Sequence, residues 1–480
     1  MLSKIERSAP LTLLFFLLFA IIIRFFSFFP SIINHDESTY IVIADALLNG
    51  QTYFVDVIDT KPVGIFLVYA GIQQVVGSSI FMLRLVATLF LGFTAFFLYL
   101  ATKKAGGNAR SGIAAGTIYL IMNSIFTYYG IAPNTETFFA FFTALALYLW
   151  VKEERTWIYP LVGLSMGVGF IIKYVVAFDA LAFGLFMLWL AYRKERPWGK
   201  TILQSALMLF GFLIPFGVSI AYYSNLGYLD EFFFYTLEVS SRYPDAAGAW
   251  DYVKFFLDFN LRVLLVVVMA ILVIRSGKVS SRIAQFGMLW MLLVWIVVLL
   301  PGKFFAHYCI QVMLPLSYVA GSFFQLDRES IPKWLRVLTS IKVGGIILII
   351  LLLINTIFHK IDYFDKKDHP REIAAFLQEE LKEGETFFIG NYEQILYHLL
   401  QQPSPVPYVH SSLLWSPNHQ EALMINEDEV LSQLKNVSPR FIFRKRSSWE
   451  ENMSMIEDWL VEGYQIRKTF NDEIDVYERK

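Results

Sequence analysis

A chain of 480 residues in which 56% are hydrophobic and only 17% charged, with 45 Phe and 11 Trp, falls outside the ordinary soluble enzymes and reads as a polytopic membrane protein. Its formal net charge of -1 gives no global attraction for nucleic acid. A single cysteine, Cys309, excludes an intrachain disulfide framework and most cysteine-based metal sites.

The first apolar run begins near Ala9, has no small-x-small exit and leads into charged residues, which predicts a retained signal anchor. Apolar stretches then predict spans at 9–29, 81–101, 112–130, 135–151, 157–172, 174–191, 203–223, 255–274, 283–300, 308–325 and 338–358, eleven in all. Basic residues assign the sides. With Lys4 and Arg7 inside, the inner loops carry Lys103, Lys104 and Arg110; Lys152 and Arg155; Arg193, Lys194, Arg196 and Lys200; Arg275, Lys278 and Arg282; and Arg328, Lys333 and Arg336. This places the N-terminus in the cytoplasm, and the first loop and everything after residue 358 outside. It also requires Val63–Gly77 not to span. That stretch is short, follows Pro62 and holds Gln73 and Gln74, as suits an interfacial or re-entrant helix. Apolar residues at 40, 41, 43, 44, 47 and 48 predict a second helix, lying on the membrane surface over 37–50, joined to the first by 51–60.

Charged residues return after residue 358. The order is helix 370–382, strand 386–390, helix 392–400, a proline-bounded segment 403–407 and a further extended piece. Strands at 440–444 and 469–477 then flank a helix at 453–462 that Gly463 stops. The expected organisation is a transmembrane domain over 1–358, with its first outer loop at 30–80, and an extracytoplasmic α/β domain over 359–480. One glycine at a strand end, Gly390, is no nucleotide fingerprint. The sequons at Asn436 and Asn452 matter only in a eukaryotic secretory compartment.

Polar residues collect at the outer ends of the spans. Asn34-His35-Asp36-Glu37 follows the first span, Asp56, Asp59 and Lys61-Pro62 close the first loop, and Arg84 begins the second span. Asn134-Thr135-Glu136 fills the next outer turn, Lys173 the one after, and Lys303, His307 and Tyr308 the last. A carboxylate is expensive in hydrocarbon, so an acid straight after a span is the cheapest way to hold a general base near a lipid headgroup. Lys, Arg and His at the same level can neutralise a phosphate. Each has a plainer reading: Glu136 caps a helix start, Lys61 snorkels, Arg84 anchors at the interface or makes a structural ion pair. Asp258 and Arg262 are spaced to pair along one helix, and Asp179 is an acid inside a span that needs a partner.

Taken together, Asp36-Glu37, Asp59-Thr60-Lys61-Pro62, Arg84-Leu85, Asn134-Thr135-Glu136 and the run Gly302 to Tyr308 before Leu314-Pro315 resemble the polytopic C-fold glycosyltransferases. The branch they are most similar to holds the bacterial aminoarabinose transferases of lipid A and relatives of the protein O-mannosyltransferases. The resemblance runs in order through residues 1 to 325. It implies a multi-span α-helical membrane protein with a small outer C-terminal domain. By that resemblance Asp36 engages and deprotonates the acceptor hydroxyl, Glu37 accompanies it and Glu136 is the second outer acid. Lys61, Lys303 and His307 approach the donor phosphate, with Arg84 supporting and Tyr308 nearby. Many members have a second proline after the lysine and an acid before it; here Val63 and Thr60 stand there, so a metal site relying on that acid has no support.

The reading is a glycosyltransferase moving a sugar from a polyprenyl-phosphate donor to a hydroxyl or phosphate acceptor on a lipid, glycan or protein, at the outer face of the membrane. Direct attack with one general base and no covalent intermediate predicts inversion. No cofactor is assigned, and a divalent cation has no ligand set to support it. The rivals are a flippase or transporter of a lipid-linked molecule, which wants an internal repeat that is not seen, and a surface-polysaccharide polymerase or ligase. Residue 70 is expected not to face the cytoplasm; in a Cys309→Ser background, a cysteine at residue 470 is expected to react with a membrane-impermeant maleimide in intact cells, and one at residue 106 only in inverted vesicles. Labelling of 470 confined to inverted vesicles would reverse the orientation.

Overall fold

The computed structural model describes residues 8–124, 130–152, 155–239, 242, 247–277, 281–446 and 454–480. Lys4, Arg7, Lys278, part of the predicted span 112–130, and Asn452 and Met453 lie outside the described residues. In chain order the helices are α1 (Ala9–Arg24), α2 (His35–Leu48), α3 (Val63–Val76), α4 (Ile80–Lys104), α5 (Ala109–Asn123), α6 (Thr135–Lys152), α7 (Tyr159–Ile172), α8 (Val176–Tyr192), α9 (Trp198–Leu226) and α10 (Leu229–Phe233). They continue as α11 (Ala249–Arg262), α12 (Leu264–Ser276), α13 (Ser281–Leu299), α14 (Cys309–Gly321) and α15 (Ile341–His359). The C-terminal part holds α16 (His369–Glu380), β1 (Phe387–Ile389), α17 (Ile395–Leu400), α18 (Ser411–Trp415), α19 (Pro417–Leu423), α20 (Glu427–Val437), β2 (Phe441–Lys445), α21 (Ser454–Gly463), β3 (Tyr464–Phe470) and β4 (Ile474–Arg479).

The chain is a largely α-helical, multi-span membrane protein with a strand-containing C-terminal domain. Among the described residues, five helical runs are long and apolar enough to cross a membrane: Ala9–Phe28, Ile80–Lys104, Trp198–Leu226, Arg282–Leu299 and the run starting at Ile341. The continuous span predicted over 255–274 is instead two helices, α11 and α12, bent by 88° at Val263; counted as one broken span they make a sixth. The sequence hides that break, because no proline or glycine marks it.

Two compact units make up the chain. The first comprises 1–29, 84–219 and 245–365, the second 30–83, 220–244 and 366–480. In the first, helices approach closely at several glycines. A β-carbon on Gly163 would strike the carbonyl of Met208, one on Gly167 that of Phe212, and one on Gly211 that of Pro160. These three glycines interlock α7 and α9 backbone against backbone, the small-residue packing that holds helices together where lipid is as apolar as the side chains.

The second unit has a four-stranded sheet in the order β1-β2-β4-β3, with β1 and β2 parallel and the other pairs antiparallel. Phe388, Trp415, Leu434, Ile442, Ile456 and Leu460 form the core beneath it. Three expectations are corrected here. The strand predicted over 469–477 is a hairpin: Asn471 and Asp472 turn it at φ of 50° and 57°, a left-handed conformation these two residue types tolerate. The extended piece after 407 is three helices, α18 to α20, the last capped by the Asn426 side chain accepting from the Glu429 N–H and begun by three acids. Finally, the helix expected on the membrane surface, α2, is buried at every position from 37 to 44, so it is enclosed on all sides rather than amphipathic. Gln73 on α3 donates to the carbonyl of Ile41 on α2, 3.2 Å away, which places this glutamine inside the pair.

Gly163→Leu is expected to lower the thermal stability of the purified protein by roughly 1–3 kcal/mol or prevent its assembly, the cost of overpacking. Gly199→Ala, where an added β-carbon meets nothing within 4 Å, is the matched control and is expected to be neutral. Equal unfolding temperatures for Gly163→Leu and the wild type would refute the interlock.

Candidate active site

In the second unit the acids sit at the start of α2. Asn34 caps the helix, its side-chain oxygen accepting from the Glu37 N–H at 2.9 Å. Asp36 and Glu37 therefore occupy the first turn, where the partial positive charge of the helix end stabilises carboxylates. Glu37 is buried, whereas the Asp36 side chain remains one-fifth exposed. Lys61 donates to Asp36 Oδ1 at 2.7 Å, lies 3.9 Å from Asp59 Oδ2, and has the Tyr40 ring 6.0 Å away. The lysine is delivered by a pinned loop: the Tyr53 hydroxyl donates to the carbonyls of Asp59 and Lys61, and Pro62 begins α3.

Asp59 is fully buried, and its Oδ2 has no hydrogen-bond partner among the described residues. Burial pushes its carboxyl above the usual aspartate range, against the opposing pull of Lys61 and of the Thr60 N–H. One ammonium thus serves two carboxylates of different character, Asp36 half-open and Asp59 buried. A third group comes from the C-terminal segment of the same unit. The His410 ring lies 5.9 Å from that of His35, and its Nδ1 accepts from the Ser412 N–H at 3.2 Å, so the neutral ring carries its proton on Nε2. Burial, reinforced by the positive charge of Lys61, pushes His410 down to about 3 and keeps it neutral.

The first unit brings together Glu136, His307 and Tyr308. Glu136 opens α6; the Thr135 hydroxyl donates to its Oε2 at 2.9 Å, and Lys173 forms an ion pair with its Oε1. Lys173 Nζ stands 4.2 Å from the centre of the Tyr308 ring, and His307 packs edge-on against Tyr308 at 4.8 Å. Lys303 lies on the turn after α13, where Gly302 takes φ of 61° and Phe304 packs against Tyr252 and Phe255. Arg84 is buried in the same unit and donates to the carbonyl of Ser27 at 3.0 Å, tying α4 to the end of the first span. Asp258 and Arg262 pair along α11. Asp179 finds neighbouring helices: Trp290 Nε1 and Gln311 Nε2 donate to its two oxygens, each at 2.6 Å. Among the described residues no three His, Cys, Asp or Glu side chains are grouped to hold a metal ion.

In overall shape the chain is similar to ArnT from Cupriavidus metallidurans bound to undecaprenyl phosphate, with a TM-score of 0.66 and 14% identity over 98% of both chains. The chain has the C fold of polytopic membrane glycosyltransferases. Residues 60–220 match the family model described as dolichyl-phosphate-mannose-protein mannosyltransferase. The archaeal oligosaccharyltransferase AglB from Archaeoglobus fulgidus, in complex with an inhibitory peptide and a dolichol-phosphate, is similar at a TM-score of 0.52 and 10% identity, over 91% of this chain and 69% of that one. The arabinofuranosyltransferase AftD from Mycobacteria is similar at a TM-score of 0.55 and 12% identity, over 97% of this chain and 40% of its own. No curated protein matches the sequence.

Within this C fold, sequence reasoning passed over His410 and Glu393, the latter 3.1 Å from His35 Nδ1. Neither has a local signal, since their partners lie in the first loop, more than three hundred residues away in the chain. Lys173 and Glu136 were each visible as charged groups at helix ends, but their pairing was not.

The raised carboxyl of Asp59 fixes the sign of a pH effect. The folded state binds that proton more tightly than the unfolded chain, so its contribution is fully present below the ordinary aspartate value of 3.8 and is lost as pH rises through the higher folded value. Asp59→Asn is therefore expected to gain in thermal stability relative to wild type as pH increases from about 4 to 8. A difference in unfolding temperature that is constant with pH, or that falls, would contradict the assignment.

Proposed function

We propose that the chain is a membrane glycosyltransferase that moves a sugar from a polyprenyl-phosphate donor to a hydroxyl or phosphate acceptor on a lipid, glycan or protein at the outer face of the membrane. The observation that carries this reading is the likeness in fold, over 98% of both chains, to ArnT bound to undecaprenyl phosphate. The proposed arrangement has eleven spans, a cytoplasmic N-terminus and an extracytoplasmic domain over 359–480.

Asp36 is the general base. The acceptor oxygen forms a bond to the anomeric carbon as the bond from that carbon to the donor phosphate oxygen breaks. The electron pair leaves with the phosphate, and the acceptor proton passes to the Asp36 carboxylate. Attack opposite the leaving group inverts the anomeric centre. The groups assigned to the phosphate charge that makes it a good leaving group are Lys61 in the second unit and Lys303 and His307 in the first, with Arg84 and Tyr308 of the first unit as supporting groups. Glu37 tunes the field at Asp36, and Glu136 is the second acid, held by Lys173.

The 2.7 Å bond from Lys61 to Asp36 gives this chemistry an order. A carboxylate neutralised by an ammonium is a weak base. An arriving phosphate competes for Lys61, and its departure from Asp36 restores the basicity that proton transfer needs. Donor binding thereby primes the base, and no nucleotide is required because the lipid phosphate already activates the sugar.

Asp36→Asn keeps size and most hydrogen bonding but removes proton acceptance. Turnover with a synthetic polyprenyl-phosphate sugar is expected to fall by roughly 10²–10⁴-fold with donor affinity retained. On the same preparations His307→Ala and Lys303→Met are expected to weaken donor binding, each by about 1.5–3 kcal/mol if the contact is charge-assisted and sheltered. Near wild-type turnover by Asp36→Asn would reject the base assignment and turn the reading towards lipid-linked transport.

A further inference from the structure

The helix that carries Asp36 is gripped by residues from the far end of the chain, within the same compact unit. Gln394, fully buried, stands just before the short helix α17, and its Nε2 donates to the His35 carbonyl at 2.8 Å and to Thr39 Oγ1 at 2.5 Å. The orientation of the amide follows from chemistry: a carbonyl only accepts, so the nitrogen must face it. Gln394 Oε1 has no hydrogen-bond partner among the described residues, so this carboxamide serves through its two donated bonds. Four residues along the same face of α17, His398 sets Nδ1 2.5 Å from Asp45 Oδ2 near the other end of α2, and Nε2 2.8 Å from the carbonyl of Ser78 beyond α3. Both ring nitrogens face oxygen acceptors.

These contacts bracket the acid. Residues 35 and 39 are successive turns of one helix face, and Asp36 projects from the turn between them. The Thr39 hydroxyl itself donates to the His35 carbonyl at 3.0 Å, so Gln394 closes a three-membered ring of polar groups about that turn. Upstream, the Asp368 carboxylate accepts from the Ser31 N–H at 2.7 Å and from the Ser31 hydroxyl, fixing the chain as it enters the helix. A helix free to turn on its axis would carry the Asp36 carboxylate away from Lys61. Its register is set by α17.

We propose that Gln394 and His398 are positioning residues for Asp36, so that turnover depends on α17 of the C-terminal segment being seated on α2. The proposal rests on the transferase reading for its activity measurement, but not for its structural one. Gln394 touches no reacting atom in this scheme. It fixes the direction of the base, and a misplacement on the order of 1 Å at a reacting group can cost about 100-fold in rate.

The test uses the full chain in nanodiscs. Gln394→Met fills nearly the same volume without donating, and Thr39→Val removes the hydroxyl it meets. For Gln394→Met, turnover is expected to fall roughly 10- to 100-fold with the donor KM unchanged. Amide hydrogen exchange is expected to accelerate in peptides covering 34–48 and to stay at wild-type rates over β1–β4. The double variant should lose less than the product of the two single losses, because the residues share one bond network. Turnover within about twofold of wild type would overturn the proposal. So would unchanged exchange over 34–48, and so would acceleration spread over the whole unit, which would make Gln394 a packing contact only. Exchange needs no reaction, so local loosening in Gln394→Met would stand even if Asp36→Asn kept its turnover and the base assignment fell.

Discussion

Charged groups that leave water need partners, and most of the polar architecture of this chain follows from that constraint. Removing an isolated ion from water costs several kcal/mol even after relaxation, and the cost is recovered only through close, well-oriented partners. Lys61 is shared between Asp36 and Asp59, Lys173 is paired with Glu136, and Asp179 takes one N–H from Trp290 and another from Gln311. Arg24, buried at the end of α1, donates to the carbonyls of Asn123 and Gly130, where a helix end leaves oxygens unsatisfied. The acids at the helix starts and the cations beside them are first of all solutions to burial. Chemistry is then a matter of which of these partnerships a substrate can compete for.

By that criterion the partnerships differ. Asp179 is held by two neutral donors on neighbouring helices and is fully enclosed, an arrangement that offers a substrate no entry. The pair of Asp36 and Lys61 keeps both side chains between one-fifth and one-third exposed, and its lysine is within reach of a second carboxylate. An anion that displaces Asp36 from Lys61 therefore meets a cation whose carboxylates can be partly released. Glu136 is more enclosed than its lysine, and the aromatic face of Tyr308 stabilises that lysine from another side. The two acids accordingly differ in setting, Asp36 partly open and sharing its lysine, Glu136 enclosed and paired with its own.

The neutral scaffold obeys the complementary rule. Where water supplies no hydrophobic force, helices are held by close approach, and Gly163, Gly167 and Gly211 remove the side chains that would prevent it. The C-terminal segment instead builds an ordinary water-type core under its sheet, with Trp415 packed on Phe388 and its indole N–H donating to the Gly390 carbonyl. One chain thus uses two packing regimes, and α17 turns the second of them to the service of the helix that bears Asp36.

Apolar length and the distribution of Lys and Arg, properties of residues taken in order, were enough to mark the chain as a multi-span membrane protein with a polar C-terminal domain. Local signals also carried the existence of the helices near 37–50 and 370–382, the stop at Gly463 and the pairing of Asp258 with Arg262, since each depends on nearby residues in the chain. The acids Asp36 and Glu136 stood out because a carboxylate at a membrane end is costly wherever the chain folds. What sequence could not decide were pairings across long separations and breaks without a marker: Lys61 with Asp36, Lys173 with Glu136, Gln394 with His35 and Thr39, and the 88° bend at Val263. The burial of α2 belongs with them, because its residues read as one apolar stripe until tertiary packing covers the remaining faces. Periodicity reports which residues share a face of one element; which face meets which is settled only when the elements pack and every buried polar group must find its partner.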